Sequence, residues 1–166
     1  AQRIEWRGQG RHVMNEFFAT TADVYRLTGE LDAAHDLHPS ADNAAKTPAA
    51  TRQRLARMVG LDERDASADE WLALARAWRA AQVAAIGAQL RGVLAAHALA
   101  REAVIVSAGC GAFLVPELVA DAADAAGCAP RRHAAYGGEV AILSHGAAEG
   151  TAASAQVCAA SVGGAG

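Results

Sequence analysis

The stretch Ala103-Val104-Ile105-Val106-Ser107-Ala108-Gly109-Cys110-Gly111-Ala112 decides the fold. Its first four residues, Ala103–Val106, are apolar and rich in β-branched side chains, which predicts a buried, central strand of a parallel sheet. Glycines follow at Gly109 and Gly111, and the next segment, Phe113 to Ala126, has the composition of a helix. The order strand, glycine turn, helix predicts a mixed α/β domain.

The glycine turn is a candidate binding site for a nucleotide or another phosphorylated molecule. Glycines let the backbone approach a ligand closely, and a helix start offers unpaired N–H groups and the positive end of its dipole. The turn lacks the Gly-Lys-Ser/Thr of a Walker loop and the third glycine of a dinucleotide fingerprint. A tight turn in which glycine only relieves crowding explains the pattern equally well. The candidate phosphate-binding residues here are Ser107, Ala108, Gly109, Gly111 and Ala112.

Cys110 lies between the two glycines at the predicted helix start. That position lowers the pKa of a thiol and could produce a nucleophile. A small side chain that serves only in packing is the simpler interpretation, and we prefer it.

Composition and charge argue against several classes of function. The 166 residues carry 15 Lys and Arg against 18 Asp and Glu, so no basic surface for nucleic acid is expected. Cys110, Cys128 and Cys158 form no CxxC pair, which argues against a zinc knuckle, and their odd number favours a reducing cytoplasm. The longest apolar stretch, Ala80 to Ala100, contains Gln, Arg and His, so we expect a packed helix and no membrane partner.

The N-terminal segment predicts a hairpin followed by a short helix. Ile4 and Trp6 alternate with charged residues, Gly8-Gln9-Gly10 predicts the turn, and Val13 to Phe18 is the expected second strand. Thr20 or Thr21 then caps a helix that extends from Ala22 to Thr28 and ends at Gly29.

Local signals also mark the later elements. Pro48 begins a helix that ends at Gly60, and Ser67 with Glu70 forms a capping box that opens a long helix to about Leu99. A break in that long helix is expected near a glycine, because its length exceeds that of a typical globular helix. The break is predicted at Gly87 or Gly92. Towards the C-terminus, the sequence predicts two further strands and a last helix, at His133–Tyr136, Val140–Leu143 and Ala152–Ser161.

A polar loop at residues 31–46 contains residues that could bind a metal ion or an anion. Its imidazoles and carboxylates match no established zinc spacing, and a solvated loop is the preferred interpretation. Asp23 could likewise be a metal or base carboxylate, or simply an acid favoured at a helix start. Lys46 with Arg52 could hold phosphate groups, or form the charged flank of a helix. The chemically relevant loop residues are His35, Asp36, His38, Asp42 and Lys46.

Several of these segments together resemble the hydantoinase/oxoprolinase-related proteins of the tetrahydromethanopterin-linked one-carbon pathway. The resemblance is dense from about residue 3 to 115, fades over 127–150, and returns faintly at Ala155–Ala160. Archaeal relatives are methanofuran-biosynthesis synthases. The matching segments are Phe18–Leu31, Ala41-Asp42, Lys46-Thr47, Arg52, Arg54–Asp62, Gln82 and Ser107–Leu114.

The resemblance implies the actin-like, sugar-kinase-like (ASKHA) fold, which has two lobes around a ligand cleft. In that fold the N-terminal lobe carries an Asp-Gly phosphate motif that this chain lacks. Residues 1–166 would therefore be the C-terminal lobe, inactive alone, with the glycine turn facing a nucleotide or diphosphate. Apolar surface, for instance at Trp6 or Trp78, should remain uncovered where the N-terminal lobe would lie.

The function implied is that of an enzyme in methanofuran-type cofactor biosynthesis. It would condense an aminomethyl-furan diphosphate with the phenol of (glutamyl-)tyramine, using Mg²⁺ and cationic side chains to offset the charge of the departing diphosphate. Asp23 and Lys46 are the catalytic candidates, Asp23 and Asp42 the metal ligands, and Lys46 and Arg52 the anion-binding cations. One alternative is an ATP-dependent hydantoinase/oxoprolinase-type amidohydrolase. The other is a non-catalytic binding domain on the same fold.

Overall fold

The structure is a computed structural model that describes residues 3–140. The chain divides into two compact units, Ala1–Gln82 and Val83–Gly166. The predicted helix Ala152–Ser161 lies outside the described residues, as does the predicted strand Val140–Leu143 except for its first residue. Within residues 3–140, about half of which are helical, the secondary structure is mixed α/β, as predicted.

The first unit begins with a tight hairpin. Strand β1, Arg3–Trp6, pairs antiparallel with strand β2, Gln9–His12. Arg7 and Gly8 form the two-residue turn, with φ of 53° and 70°. The prediction of a turn at Gly8–Gly10 and a strand over Val13–Phe18 was therefore wrong. Two successive positive φ values match the right-handed twist of the paired strands, and Arg7 adopts one of them although it is not glycine.

Three helices follow, and their boundaries agree with the local signals. Helix α1 is Thr21–Thr28 and ends at Gly29, whose φ of 78° is left-handed. Helix α2 is Pro48–Met58, and the Thr47 hydroxyl accepts a hydrogen bond from a backbone N–H of its first turn. Helix α3 is Ala68–Ala96, and short 3₁₀ helices cover Ala33–His35 and Glu63–Asp65.

Helix α3 opens with the predicted capping box, in which the Ser67 N–H donates to Glu70 Oε2 at 2.8 Å. It is continuous over 29 residues, so the break predicted at Gly87 or Gly92 is absent. A Cβ at Gly87 would lie 3.0 Å from Asp121 Oδ2, whereas Gly92 has open space around it. Gly87 therefore permits a close approach of side chains rather than interrupting the helix.

Two tryptophans organise the core of the first unit. The rings of Trp6 and Trp71 stack with centroids 5.1 Å apart, and both residues are buried. The indole N–H of Trp6 donates to the Glu70 carbonyl at 2.9 Å, and that of Trp71 donates to the Glu63 carbonyl at 2.8 Å. Burying both rings with their N–H groups satisfied fixes the hairpin against α3.

Trp6 is thus not part of an uncovered surface, contrary to expectation. Trp78 is partly buried and lines a cavity together with Met14 and Phe17. Met14 is 46% exposed and Phe17 is 72% exposed. Apolar surface is therefore uncovered beside Trp78.

The second unit contains a parallel strand pair joined by a helical connection. Strand β3, Ile105–Ser107, pairs with strand β4, His133–Ala135. Between them lie a 3₁₀ helix, Ala112–Leu114, and helix α4, Val115–Ala125; a π-helical turn, Tyr136–Val140, follows β4.

Strand β3 begins two residues later than predicted and extends through Ser107. Among residues 3–140 it pairs only with β4, and Val106 is 47% exposed, so it is not the buried central strand that was expected. An apolar run alone does not reveal how many strands flank it. Within the part of the chain that the structure describes, no helix is both long and apolar enough to cross a membrane.

Candidate functional site

A buried ion pair connects the first two helices. Asp23, in the first turn of α1, and Arg54, in the middle of α2, are both completely buried. Asp23 Oδ1 accepts hydrogen bonds from Arg54 Nε at 2.8 Å and from Arg26 Nη1 at 2.6 Å. Its other oxygen, Oδ2, accepts from the backbone N–H of Thr20 at 3.0 Å. Asp23 Oδ1 therefore joins α1 to α2 through Arg54, whereas Oδ2 caps the first turn of α1.

Asp36 anchors the polar loop to the same helices. Arg26 binds it through two hydrogen bonds, from Nε to Oδ2 at 2.8 Å and from Nη2 to Oδ1 at 3.0 Å. Lys46 Nζ lies 3.0 Å from Asp36 Oδ1 and also donates to the Asp36 backbone carbonyl. The hydrogen bonds from Arg26 lower the pKa of the Asp36 carboxyl, with Lys46 contributing in the same direction against the effect of burial.

Asp42 closes the other end of the loop. Its Oδ1 accepts from Arg54 Nη1 at 3.2 Å, from the Ala44 N–H at 3.1 Å and from the Ser40 hydroxyl at 3.2 Å. Burial opposes ionisation, but these hydrogen bonds and the charge of Arg54 outweigh it and lower the pKa of Asp42. The sequence predicted a solvated loop or a metal site, whereas the structure shows a loop held by ion pairs.

These contacts define the helix–loop network. Arg57 lies outside it as a more exposed neighbour, with its Nη1 3.5 Å from Asp42 Oδ2. The carboxylates and cations of the network are equal in number, so the network carries no net charge. The carboxylates are those of Asp23, Asp36 and Asp42, and the cations are Arg26, Lys46 and Arg54.

The predicted Mg²⁺ ligands do not fit a metal ion. Arg54 donates to both Asp23 and Asp42, so its guanidinium occupies the position between them that a cation would need. Among residues 3–140, no group of three His, Cys, Asp or Glu side chains could hold a metal ion. The structure therefore brings Asp23 and Asp42 together, but both contact Arg54.

The predicted anion-binding cations are also engaged. Lys46 contacts Asp36, and Arg52 Nε donates to Glu63 Oε1 at 2.8 Å. Arg52 belongs to the first unit and the glycine turn to the second. These contacts favour a structural role for both cations, since a bound phosphate would have to compete with a carboxylate already in place.

The glycine turn, in contrast, offers donors to solvent. Gly109 has a left-handed φ of 84°, which favours glycine, and its carbonyl accepts from the Ala112 N–H at 3.1 Å. Gly111 has an ordinary φ of −91°, and no atom lies within 4 Å of where its Cβ would be. Among the described residues, the backbone N–H groups of Cys110 and Gly111 donate no hydrogen bond, and both residues are exposed. The turn therefore presents two consecutive amide donors beside open space.

A serine–histidine pair lies at the start of this turn. Ser107, the last residue of β3, is buried, and its Oγ lies 2.7 Å from His133 Nε2. In the parallel register Ser107 is opposite Ala135, which places His133 on the same face of the sheet. Sequence reasoning selected Ser107 but missed His133. The weak strand signal at His133–Tyr136 gave no indication of its partner, because pairing between strands is not encoded locally.

Comparisons with known proteins return no match, either to a protein-family model or to a curated protein. The resemblance to hydantoinase/oxoprolinase-related proteins consequently rests on the matching residues themselves. Residues 3–140 show the mixed α/β class.

Proposed function

We propose that this chain is one lobe of a cytoplasmic, actin-like enzyme that binds a phosphorylated or diphosphorylated small molecule at the glycine turn. The observation that carries the proposal is the pair of amide donors at Cys110 and Gly111, which lie beside open space and donate to no atom of residues 3–140. They follow the carboxyl end of parallel strand β3, the edge at which ligands bind in open α/β sheets. Consecutive backbone N–H groups in such a turn form a concave site for an anion.

The specific reaction proposed is the condensation of an aminomethyl-furan diphosphate with the phenol of (glutamyl-)tyramine. The carbon–oxygen bond to diphosphate breaks with its electron pair staying on the departing diphosphate, and the furfuryl carbon gains cationic character. The phenol oxygen then forms the new ether bond, and its proton passes to solvent water. Amides that bind the departing diphosphate would lower the barrier by stabilising the charge that develops on it. Mg²⁺ enters this scheme as part of the diphosphate substrate.

The helix–loop network has a supporting role in this proposal. Asp23, Lys46 and Arg52 were the catalytic and anion-binding candidates, but each already binds an oppositely charged partner. Their contacts support a role in shaping the first unit. Anion binding is therefore assigned to the turn.

The same contacts favour a second candidate, a non-catalytic binding domain on this fold. Paired charges stabilise a surface without offering a free acid or base. Product analysis of the complete protein separates the possibilities. Ether formation with diphosphate release supports the synthase, ring opening with ATP hydrolysis supports the amidohydrolase, and ligand binding without turnover supports the binding domain.

The binding site itself is tested by calorimetric titration of the chain with Mg²⁺–diphosphate. Gly111→Ala adds a methyl group above the turn and should weaken binding at least tenfold, about 1.4 kcal/mol. Gly92→Ala is the matched control, since it adds a methyl to another glycine with open space but on helix α3, and it should leave affinity unchanged. Equal affinity of Gly111→Ala and the unmodified chain would refute the site.

A further inference from the structure

The second unit contains a cavity of about 300 Å³ that is separate from the glycine turn. It lies between the C-terminal part of α3, helix α4 and strand β3. Pockets for small molecules begin at about this size and are mostly apolar with few polar groups. The side chains that form its apolar wall include Leu94, Ala95, Ile105, Val119, Ala122 and Ala126.

The cavity exists because α4 presents small side chains on one face. Ala122 lies on α4 and Ala126 directly follows its last residue with a helical backbone conformation; because the two are four residues apart, they lie one above the other. A larger residue at either position would extend into the space that the cavity occupies. The wall is therefore apolar, and the cavity has room for a short hydrocarbon chain or a single ring.

Two arginines supply the polar part of the wall, and they differ in their partners. Arg91 contacts the carboxylate of Asp121, so its charge is neutralised. Arg131 donates to the backbone carbonyls of Leu99 and Ala100, at 3.0 Å to the former. Among the side chains that the structure describes, no carboxylate pairs with Arg131. The cavity consequently has an apolar interior and, at its wall, a positive charge on Arg131 that no described carboxylate compensates.

We propose that this cavity binds a small amphiphilic carboxylate, with its apolar body against the alanines of α4 and its carboxylate on Arg131. A guanidinium binds a carboxylate through two parallel hydrogen bonds, and such charge-assisted bonds are stronger than neutral ones. A neutral molecule of the same shape would fill the cavity but leave the charge of Arg131 unmatched. The inference does not depend on the function proposed for the glycine turn.

Octanoate and octanol are suitable probes, because they share an apolar chain and differ in charge. Cys128 lines the cavity and is partly buried, whereas Cys110 is exposed in the glycine turn. Alkylation by iodoacetamide, followed cysteine by cysteine by peptide mass spectrometry, therefore reports on the cavity with an internal control. Octanoate should slow alkylation of Cys128 at least fivefold and leave Cys110 unchanged, and octanol should protect Cys128 less.

Two variants test the two parts of the site. Ala126→Leu fills the cavity and should abolish protection of Cys128 by both probes. Arg131→Gln should lower the affinity for octanoate to that for octanol and leave octanol binding as it was. A melting curve of each variant establishes that it is folded, and Arg131→Gln remains informative should Ala126→Leu fail to fold.

Three results would overturn the proposal. One is calorimetry that detects no binding of octanoate at millimolar concentration. Another is octanoate affinity that is the same in Arg131→Gln as in the unmodified chain. The third is equal protection of Cys110 and Cys128, which would indicate nonspecific association of the probe.

Discussion

Arg54 and Asp23 form a hydrogen-bonded ion pair in which both side chains are fully excluded from solvent. Removing two charges from water is costly, and their attraction compensates only when the remaining donors are also satisfied. Arg54 meets this condition, since it also donates to the Thr51 hydroxyl at 3.1 Å and to the Ala45 carbonyl at 3.2 Å. The pair therefore stabilises the contact between α1 and α2 as long as both members are present.

Replacing one member should be severely destabilising. We expect Arg54→Met to lower the free energy of unfolding by about 3–5 kcal/mol, because Asp23 would be left buried with less compensation. The control is Arg57→Met on the same helix, which removes only a 3.5 Å contact of a 42% exposed side chain and should cost less than about 1 kcal/mol. Urea denaturation of the three proteins measures both effects. Similar losses in the two variants would contradict the assignment.

Acid should weaken the anchoring of the loop through Asp36. The hydrogen bonds from Arg26 lower its pKa in the folded state, so the unfolded chain binds a proton more readily. Its contribution to stability is complete above the unfolded-state pKa of about 3.9 and is lost as pH falls through the lower folded-state pKa. Asp36→Asn should therefore be less stable at pH 7 but lose less stability between pH 5 and pH 3. Urea denaturation at several pH values tests this, and parallel curves for the two proteins would disprove it.

The two glycines of the turn should respond differently to alanine. Gly109 has a left-handed φ of 84°, so Gly109→Ala should cost about 1–2 kcal/mol of stability. Gly111→Ala should leave stability unchanged or raise it by up to about 1 kcal/mol, since its backbone suits alanine and its surroundings are open. Thermal unfolding of both variants makes the comparison. A lower melting temperature for Gly111→Ala than for Gly109→Ala would be inconsistent with this geometry.

Replacing each of the two tryptophans of α3 with alanine should cost different amounts of stability. Trp71 is fully buried, stacks on Trp6 and donates to the Glu63 carbonyl, so Trp71→Ala should cost about 3–5 kcal/mol. Trp78 is only partly buried beside an open cavity, and Trp78→Ala should cost clearly less. Chemical denaturation followed by circular dichroism avoids the loss of fluorescence signal. Equal costs would show that the stacked pair is not the centre of this core.

Helix boundaries could be predicted from the sequence because their causes are local. Pro48 after Thr47, the Ser67–Glu70 box and the left-handed Gly29 each act within a few residues. The hairpin was misplaced because Gly8 and Gly10 look alike in sequence. Only the strand pairing shows that the turn uses Arg7 and Gly8.

Contacts between distant residues could not be predicted in the same way. Asp23 and Arg54 are 31 residues apart, so their pairing depends on how α1 packs on α2. In the sequence, Asp23 looks like a free carboxylate that could take part in chemistry, and nothing marks Arg54 as its partner. For the same reason His133 was overlooked, since only the parallel register of β3 and β4 brings it to Ser107.

The charge balance of the helix–loop network has an evolutionary consequence. A single substitution that removes one charge of the Asp23–Arg54 pair leaves its partner buried and unmatched, and one at a partly exposed member leaves an ion pair broken, so selection should act on the residues as a group. Among orthologues, positions 23 and 54 should covary, and position 36 should change with position 26 or 46. Lineages that have lost the pair between positions 23 and 54 should carry apolar residues of similar volume at both.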